Sequence, residues 1–264
     1  MSCLVMGIVN VTPDSFSDGG RWFDPAAAIA HGERLIAEGA AIVDVGGEST
    51  RPGAEPVDEA EELRRVVPVV AALAPLVRVS VDTTKAAVAR AAVAAGATLI
   101  NDVSASLHLV AAECGVGWVA MHRQGTPATM QTAPHYDDVV AEVHDYLVAK
   151  ADAAEQAGVV EVWVDPGIGF GKTTSHNLRL LAHLDHLVAA GRPVLVGVSR
   201  KRFVGELLAR SDRKGAPGPD GDTVPADARL DGSLTFATHA MASGVAAVRV
   251  HDVLATVQAA KVVG

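Results

Sequence analysis

The chain has 264 residues, 49% of them hydrophobic and 20% charged but only 4% aromatic, so its core must be packed almost entirely from aliphatic side chains. That balance excludes a disordered, collagen-like or disulfide-stapled chain. A formal charge of −9 leaves no electrostatic footprint for nucleic acid or an anionic membrane, so an anionic substrate would have to be held by local cations.

In chain order, short β-branched runs alternate with helical segments. A first strand over 4–9 precedes Asp24-Pro25, a capping residue with proline at the first helical position, and an Ala-rich helix to Gly39. A strand over 41–45 leads to a helix that starts at Asp58, runs through Leu63, Val66, Val67 and Val70, and ends near Pro75. Strands follow over 76–81 and 98–103, with a helix over 84–95 between them and only a short, moderately helical segment over 104–116. Strands over 117–121, 160–164, 193–198 and 246–250 then alternate with helices over 136–157, 174–190, 233–243 and 252–262. Both faces of each strand are apolar, as in parallel sheets covered by helices. Gly39, Gly96, Gly158, Gly191 and Gly244 close helices, and Ser211 to Asp227, rich in Gly, Pro, Asp and Arg, reads as a loop.

Eight strand-helix units without a linker or composition break predict one domain over 1–264, a (β/α)₈ TIM barrel of the α/β class. A doubly wound open sheet is the competing architecture, and no GxGxxG follows the first strand to support it. Cys3 and Cys114 form no CxxC pair, Met1 to Gly7 lack the features of a signal peptide, and no apolar run approaches the about 18 residues of a membrane span. A cytoplasmic location is expected.

A barrel gathers its functional residues where strands run into βα loops. The predicted strand ends are Asn10, Gly46 to Pro52, Asp82-Thr83, Asn101-Asp102, Met121-His122, Asp165-Pro166-Gly167, Ser199-Arg200-Lys201 and Arg249 to Asp252. Each taken alone could be a cap; eight on one rim point to a polar small-molecule site. Asp82, Asn101, Asp165 and Asp102 suit a flat heterocycle with neighbouring N–H donors, while Arg51, Lys201, Arg249 and His251 suit a phosphate or carboxylate. The turn-rich segments 11–20 and 48–54 read as lids.

Other patterns carry less. Asp165 to Thr173 ends like a phosphate-binding loop, but Pro166 stands where its first glycine belongs. His183 and His186 lack a third ligand nearby, and Glu59, Glu61, Glu62, Arg64 and Arg65 read as solvated helix faces.

Taken together, Gly7 to Gly20, Asp44 to Gly53, Ser80 to Thr83, Ile100 to Asp102, Met121-His122, Asp165 to Lys172, Ser199 to Lys201 and Arg249 to Asp252 resemble the bacterial dihydropteroate synthase family, in order and over almost the whole chain. That family is a (β/α)₈ barrel that joins 6-hydroxymethyl-7,8-dihydropterin pyrophosphate to p-aminobenzoate, with Mg²⁺ and release of pyrophosphate. The resemblance implies that Asp82, Asn101, Asp165 and Lys201 hold the pterin, with Asp165 on its guanidine-like edge and Met121 and Phe170 as walls. It places Asn10, Arg249 and His251 on the pyrophosphate, with Asn10 also on Mg²⁺. Phe16, Thr50, Arg51, Pro52 and Ser199 would surround p-aminobenzoate. Asp18, Lys201, Arg249 and His251 would carry the catalytic roles. After Ser104 the sequence departs from the family pattern and predicts a truncated fourth helix.

The family also implies a homodimer paired through late helices. Ala237, Ala240, Val253 and Val257 form a stripe that either makes that contact or faces the barrel. Two further readings share the pterin site: a methyltransferase acting on a corrinoid protein, and a silent pterin-binding paralogue. The segment 14–20 and Ser199 to Lys201 belong to the synthase pattern.

Overall fold

Every apolar run forms a parallel strand. In the computed structural model, which describes residues 3–12, 25–49, 56–126, 129–214 and 222–264, the strands are β1 (Leu4–Asn10), β2 (Ile42–Gly46), β3 (Arg78–Asp82), β4 (Leu99–Asp102), β5 (Gly117–Met121), β6 (Val162–Asp165), β7 (Leu195–Gly197) and β8 (Ala247–Val250). Their order is β6-β5-β4-β3-β2-β1-β8-β7, and a parallel bridge between Val164 and Val194 brings the two ends together. The closed circuit rules out the open sheet.

The helices among the described residues are α1 (Pro25–Ala37), α2 (Glu59–Leu73), α3 (Ala86–Ala94), α4 (His108–Cys114), α5 (Val139–Gln156), α6 (Thr174–Ala182), α7 (Leu184–Ala189), α8 (Arg202–Asp212), α9 (Leu230–Ala242) and α10 (Val253–Val263). The Asp58 carboxylate caps α2 by accepting from the Glu61 amide at 2.8 Å. The five helix-closing glycines all take φ between 81° and 115°, the left-handed turn that returns the chain to the next strand. As expected, α4 is short, at seven residues.

Two expectations need correction, and one open choice is decided. The single helix over 174–190 breaks at His183, whose φ of −124° and ψ of 32° leave the helical region. The segment after Lys201 forms α8, which buries Phe203, Val204 and Ala209. At the other end of the expected loop, Ala226–Arg229 forms a 3₁₀ turn; residues 215–221 lie outside the described residues. The stripe Ala237, Ala240 and Val253 is fully covered by the barrel, and Val257 packs on Gly39, so it faces inward.

The core has two parts. Between strands and helices lie residues such as Val43, Val45, Val79, Val81, Trp118 and Val248, nearly all aliphatic. Inside the barrel, Met6, Ile42, Leu99, Val119, Trp163, Leu195 and Ala247 form a dry layer. Towards the N-terminal ends of the strands, Arg78 pairs with Glu161, which also accepts from the Trp163 indole at 2.7 Å.

Candidate active site

Side chains alternate along a strand, so the residue two positions beyond each member of the apolar layer faces the same interior one step nearer the C-terminal rim. Those positions are Ile8, Asp44, Asn101, Met121, Asp165, Gly197 and Arg249. Register carries the ring onward: Asn10 pairs with Gly46, Gly46 with Asp82, and Asp82 with Asn101. Gly46 leaves room for Asp82, because a Cβ there would lie 3.3 Å from the Asp82 Cβ. The predicted pterin group Asp82, Asn101, Met121 and Asp165 is thus brought to one floor.

Arg249 is the hub of that floor. Its Nε donates to Asp44 Oδ2 at 2.6 Å and its Nη2 to Asp82 Oδ2 at 2.8 Å. Asn101 Nδ2 donates to the same Asp44 oxygen at 2.9 Å. Burial works against the Arg249 charge, but Asp44 and Asp82 more than offset it and hold its pKa above the ordinary value. Burial raises Asp82 above the usual carboxylate range; Arg249 lowers it, and the Asp44 charge raises it further.

Asp44 is the functional residue that sequence reasoning missed. It is fully buried, and its Oδ1 and the neighbouring Ser80 Oγ have no hydrogen-bond partner. The available signal was a carboxylate in the middle of Ile42-Val43-Asp44-Val45-Gly46, where packing alone would place an aliphatic residue.

Asp165 accepts from the Gly167 amide at 2.7 Å, and burial raises its pKa. Gly167, at φ 64°, lies against the His122 carbonyl so closely that a Cβ would collide with it. Beyond that turn the Lys201 ammonium sits 4.2 Å from the centroid of the Phe170 ring, a cation-π contact on one wall. Burial pushes Lys201 down to about 8.

Ser199 and His251 form the adjoining corner. The Ser199 Oγ accepts from the His251 backbone N–H at 3.1 Å and lies 3.0 Å from His251 Nδ1. Asn10 and His251 border a cavity of about 870 Å³ that runs between α1 and α10. Among the described residues no group of three His, Cys, Asp or Glu side chains can hold a metal ion. Asn10, at the end of β1, is half-buried.

Several rim and helix residues have other roles. Asp102 is turned outward, the alternate position to Asn101, and accepts from the Ser104, Ser106 and Leu107 amides and the Trp118 indole. It caps the β4-α4 turn. Arg200 leaves the rim to pair with both oxygens of Asp252, at 3.0 and 2.5 Å. Glu62 and Arg65 are buried, not solvated. Glu62 accepts from Thr83 Oγ1 at 2.6 Å and Lys85 Nζ at 2.5 Å, and Arg65 donates to the Gly47 carbonyl at 2.9 Å. The predicted residues Phe16, Asp18, Thr50, Arg51 and Pro52 lie outside the described residues.

The family model described as "Pterin binding enzyme" matches residues 6–251. The dihydropteroate synthase of Mycobacterium leprae (strain TN) is 51% identical over 269 aligned residues, covering 98% of this chain and 92% of that protein. The structure of Xanthomonas albilineans dihydropteroate synthase with 4-aminobenzoic acid superposes with a TM-score of 0.88 at 50% identity, covering 99% of this chain and 92% of that one. A complex of the X. albilineans enzyme with 7,8-dihydropteroate gives 0.85 at 47% identity, with coverage of 99% and 92%. A floor of two carboxylates, an amide and an arginine in a closed barrel, with relatives this similar along the whole length, establishes that the chain belongs to the dihydropteroate synthase family of pterin-binding enzymes.

Proposed function

We propose that the chain joins 6-hydroxymethyl-7,8-dihydropterin pyrophosphate to p-aminobenzoate, giving 7,8-dihydropteroate and pyrophosphate for folate biosynthesis. The observation that carries this reading is the single interior level of Asp82, Asn101 and Asp165, with Arg249 between two carboxylates and Lys201 over Phe170. The Asp165 carboxylate accepts two N–H groups from the amidine-like pterin edge, and Asp82 and Asn101 hold the remaining ring atoms. Met121 and Phe170 form apolar walls.

The C–O bond between the pterin methylene and pyrophosphate breaks first, its electron pair leaving with the pyrophosphate oxygen. Arg249 and His251 hold that oxygen end as charge builds on it, and Lys201 supplies a further nearby cation. The electron-rich pterin spreads the positive charge left on the methylene. The arylamine nitrogen, placed by Ser199 and by Phe16, Thr50, Arg51 and Pro52, then forms the new C–N bond and loses a proton to solvent. Asp18 acts near the reacting methylene. The arylamine lone pair is already free at neutral pH, so no strong general base is required.

Mg²⁺ is the proposed cofactor. The Asn10 side-chain oxygen, at the end of β1 beside the residues assigned to pyrophosphate, would hold the cation together with substrate oxygens. When bound, it neutralises charge on the leaving pyrophosphate.

A homodimer is proposed through the late helices. Its contact surface would use exposed Leu230, Leu254 and Val262 rather than the inward stripe. No described helix is long and apolar enough to cross a membrane; a cytoplasmic location completes the proposal.

The activity is tested by incubating the purified chain with both substrates and Mg²⁺, following pyrophosphate and identifying the organic product by mass. One dihydropteroate for each pyrophosphate supports the assignment. Absence of both at saturating substrates, with methyl-folate binding, points instead to a pterin-binding methyltransferase.

A further inference from the structure

The segment that ends like a phosphate-binding loop has, one residue before its end, a lysine that faces no open site. Lys172 is 2% exposed. Its ammonium lies 2.9 Å from His122 Nδ1, 3.3 Å from the His122 carbonyl, and 3.1 Å from each of the Gly167 and Phe170 carbonyls. All four partners are neutral acceptors. An ammonium has only hydrogens to give, so His122 Nδ1 must accept, which leaves the imidazole neutral with its proton on Nε2. Burial and the neighbouring Lys172 charge push His122 down to about 3, in keeping with a neutral ring.

Burying a cation with no carboxylate in direct contact is expensive: burial pushes Lys172 down to about 7, and the nearby Asp165 charge works against that shift. The Lys172 bonds join two separate segments, the end of β5 at His122 and the turn that follows β6. That turn fixes two parts of the floor. Its Gly167 amide donates to Asp165 Oδ1 at 2.7 Å, and its Phe170 ring lies beneath the Lys201 ammonium. The far side of the turn is tied as well: the Gly169 amide donates to Asn177 Oδ1, and Tyr136 Oη donates to the Gly171 carbonyl, both at 2.8 Å. Gly167 and Gly171 back directly onto the His122 and Gln124 backbones with no room for a Cβ. Among these ties Lys172 is the one that grips both ends of the turn and the facing strand at once.

We propose that Lys172 is a positioning residue for the pterin: its ammonium fastens the Gly167–Gly171 turn to the end of β5 and so sets the places of Asp165 and Phe170. The inference rests on the reading that these two residues hold the pterin. Lys172 touches no reacting atom. Its effect falls on one substrate, because Ser199, assigned to the arylamine, belongs to the β7–β8 corner and shares none of these bonds.

The test uses the full chain with K172M, which keeps the length of the side chain but removes every donor. Titration with a non-reacting pterin and steady-state kinetics with each substrate varied should show pterin Kd and KM raised at least tenfold, with the p-aminobenzoate KM within twofold of the parent. A pterin Kd within twofold of the parent overturns the role, as does an equal rise in both KM values. Should K172M not fold, His122 carries the same test. H122L, which lacks the acceptor, should weaken pterin binding several-fold, while H122Q, whose Oε1 accepts, should restore it. Equal behaviour of those two variants overturns the role. D165N separates the two claims: pterin binding that survives it removes Asp165 from the pterin site and the inference with it. Binding lost in D165N but intact in K172M overturns only the role of Lys172.

Discussion

Replacing Asp44 by asparagine removes one of the two carboxylates that hold the Arg249 guanidinium, at an atom 2.6 Å from its Nε. At an effective dielectric of about 20, two unit charges about 4 Å apart interact by about 4 kcal/mol. Part of that loss is offset, because the buried Asp44 Oδ1 has no partner and its charge repels Asp82. A net destabilisation of about 2 kcal/mol is expected, or about 4–8 °C in thermal midpoint for a domain of this size. Activity should suffer more. One Asp44 oxygen receives both Arg249 and Asn101; an asparagine that places its Oδ1 there keeps both acceptor bonds, so the loss falls on the charge that holds the guanidinium in place. A loss of about 2–3 kcal/mol of transition-state stabilisation corresponds to a fall of about 30- to 160-fold in kcat/KM for the pterin pyrophosphate. The assay is pyrophosphate release with each substrate varied, together with thermal unfolding. A variant with kcat/KM within twofold of the parent and an unchanged midpoint would refute the role of Asp44 in orienting the floor.

Three further outcomes are predicted. Arg249→Ala or Lys201→Ala should each lose about 2–4 kcal/mol of transition-state stabilisation, seen as a fall in kcat/KM, and near-normal turnover in either would remove that residue from the leaving-group site. Asp165 has a folded pKa above the 3.8 of the unfolded chain, chiefly from burial, so the folded state holds its proton more tightly. Its contribution to stability therefore declines as pH rises from about 4 through the folded pKa. Asp165→Asn should abolish pterin binding yet melt no lower than the parent at pH 7, with the difference shrinking towards pH 4; a lower midpoint at pH 7 contradicts that sign. Chelation of divalent cations should stop pyrophosphate release and added Mg²⁺ should restore it, whereas full activity in excess chelator excludes the metal.

The strands were legible because a fully buried parallel strand is written as a continuous β-branched run, and the rim was legible because each run ends abruptly in a polar residue. Alternation then decides which rim residue enters the barrel, a choice that a list of strand ends does not make: Asn101 faces inward and its neighbour Asp102 outward, where it caps a turn. Asp44 was overlooked because it lies inside a strand rather than at its end. Glu62 resembled a solvated helix residue because its partners, Thr83 and Lys85, come from the next βα unit, and local pattern carries no record of that pairing. The role of Lys172 is not visible in the failed phosphate-loop pattern, because its burial against backbone carbonyls depends on contact with the end of β5, about fifty residues earlier. The segment after Lys201 does carry a helical stripe, Phe203, Val204, Leu207 and Leu208, set among charged residues that face away from the core.

The central claim is that one interior ring binds the dihydropterin and its pyrophosphate together. A crystal structure of this chain with a dihydropterin, pyrophosphate and Mg²⁺ tests it most directly. The account predicts the pterin ring between Met121 and Phe170 with its amino-amide edge on Asp165, and pyrophosphate oxygens on Arg249, His251 and the metal beside Asn10. A pterin bound outside this ring, or pyrophosphate held away from Arg249, would contradict it.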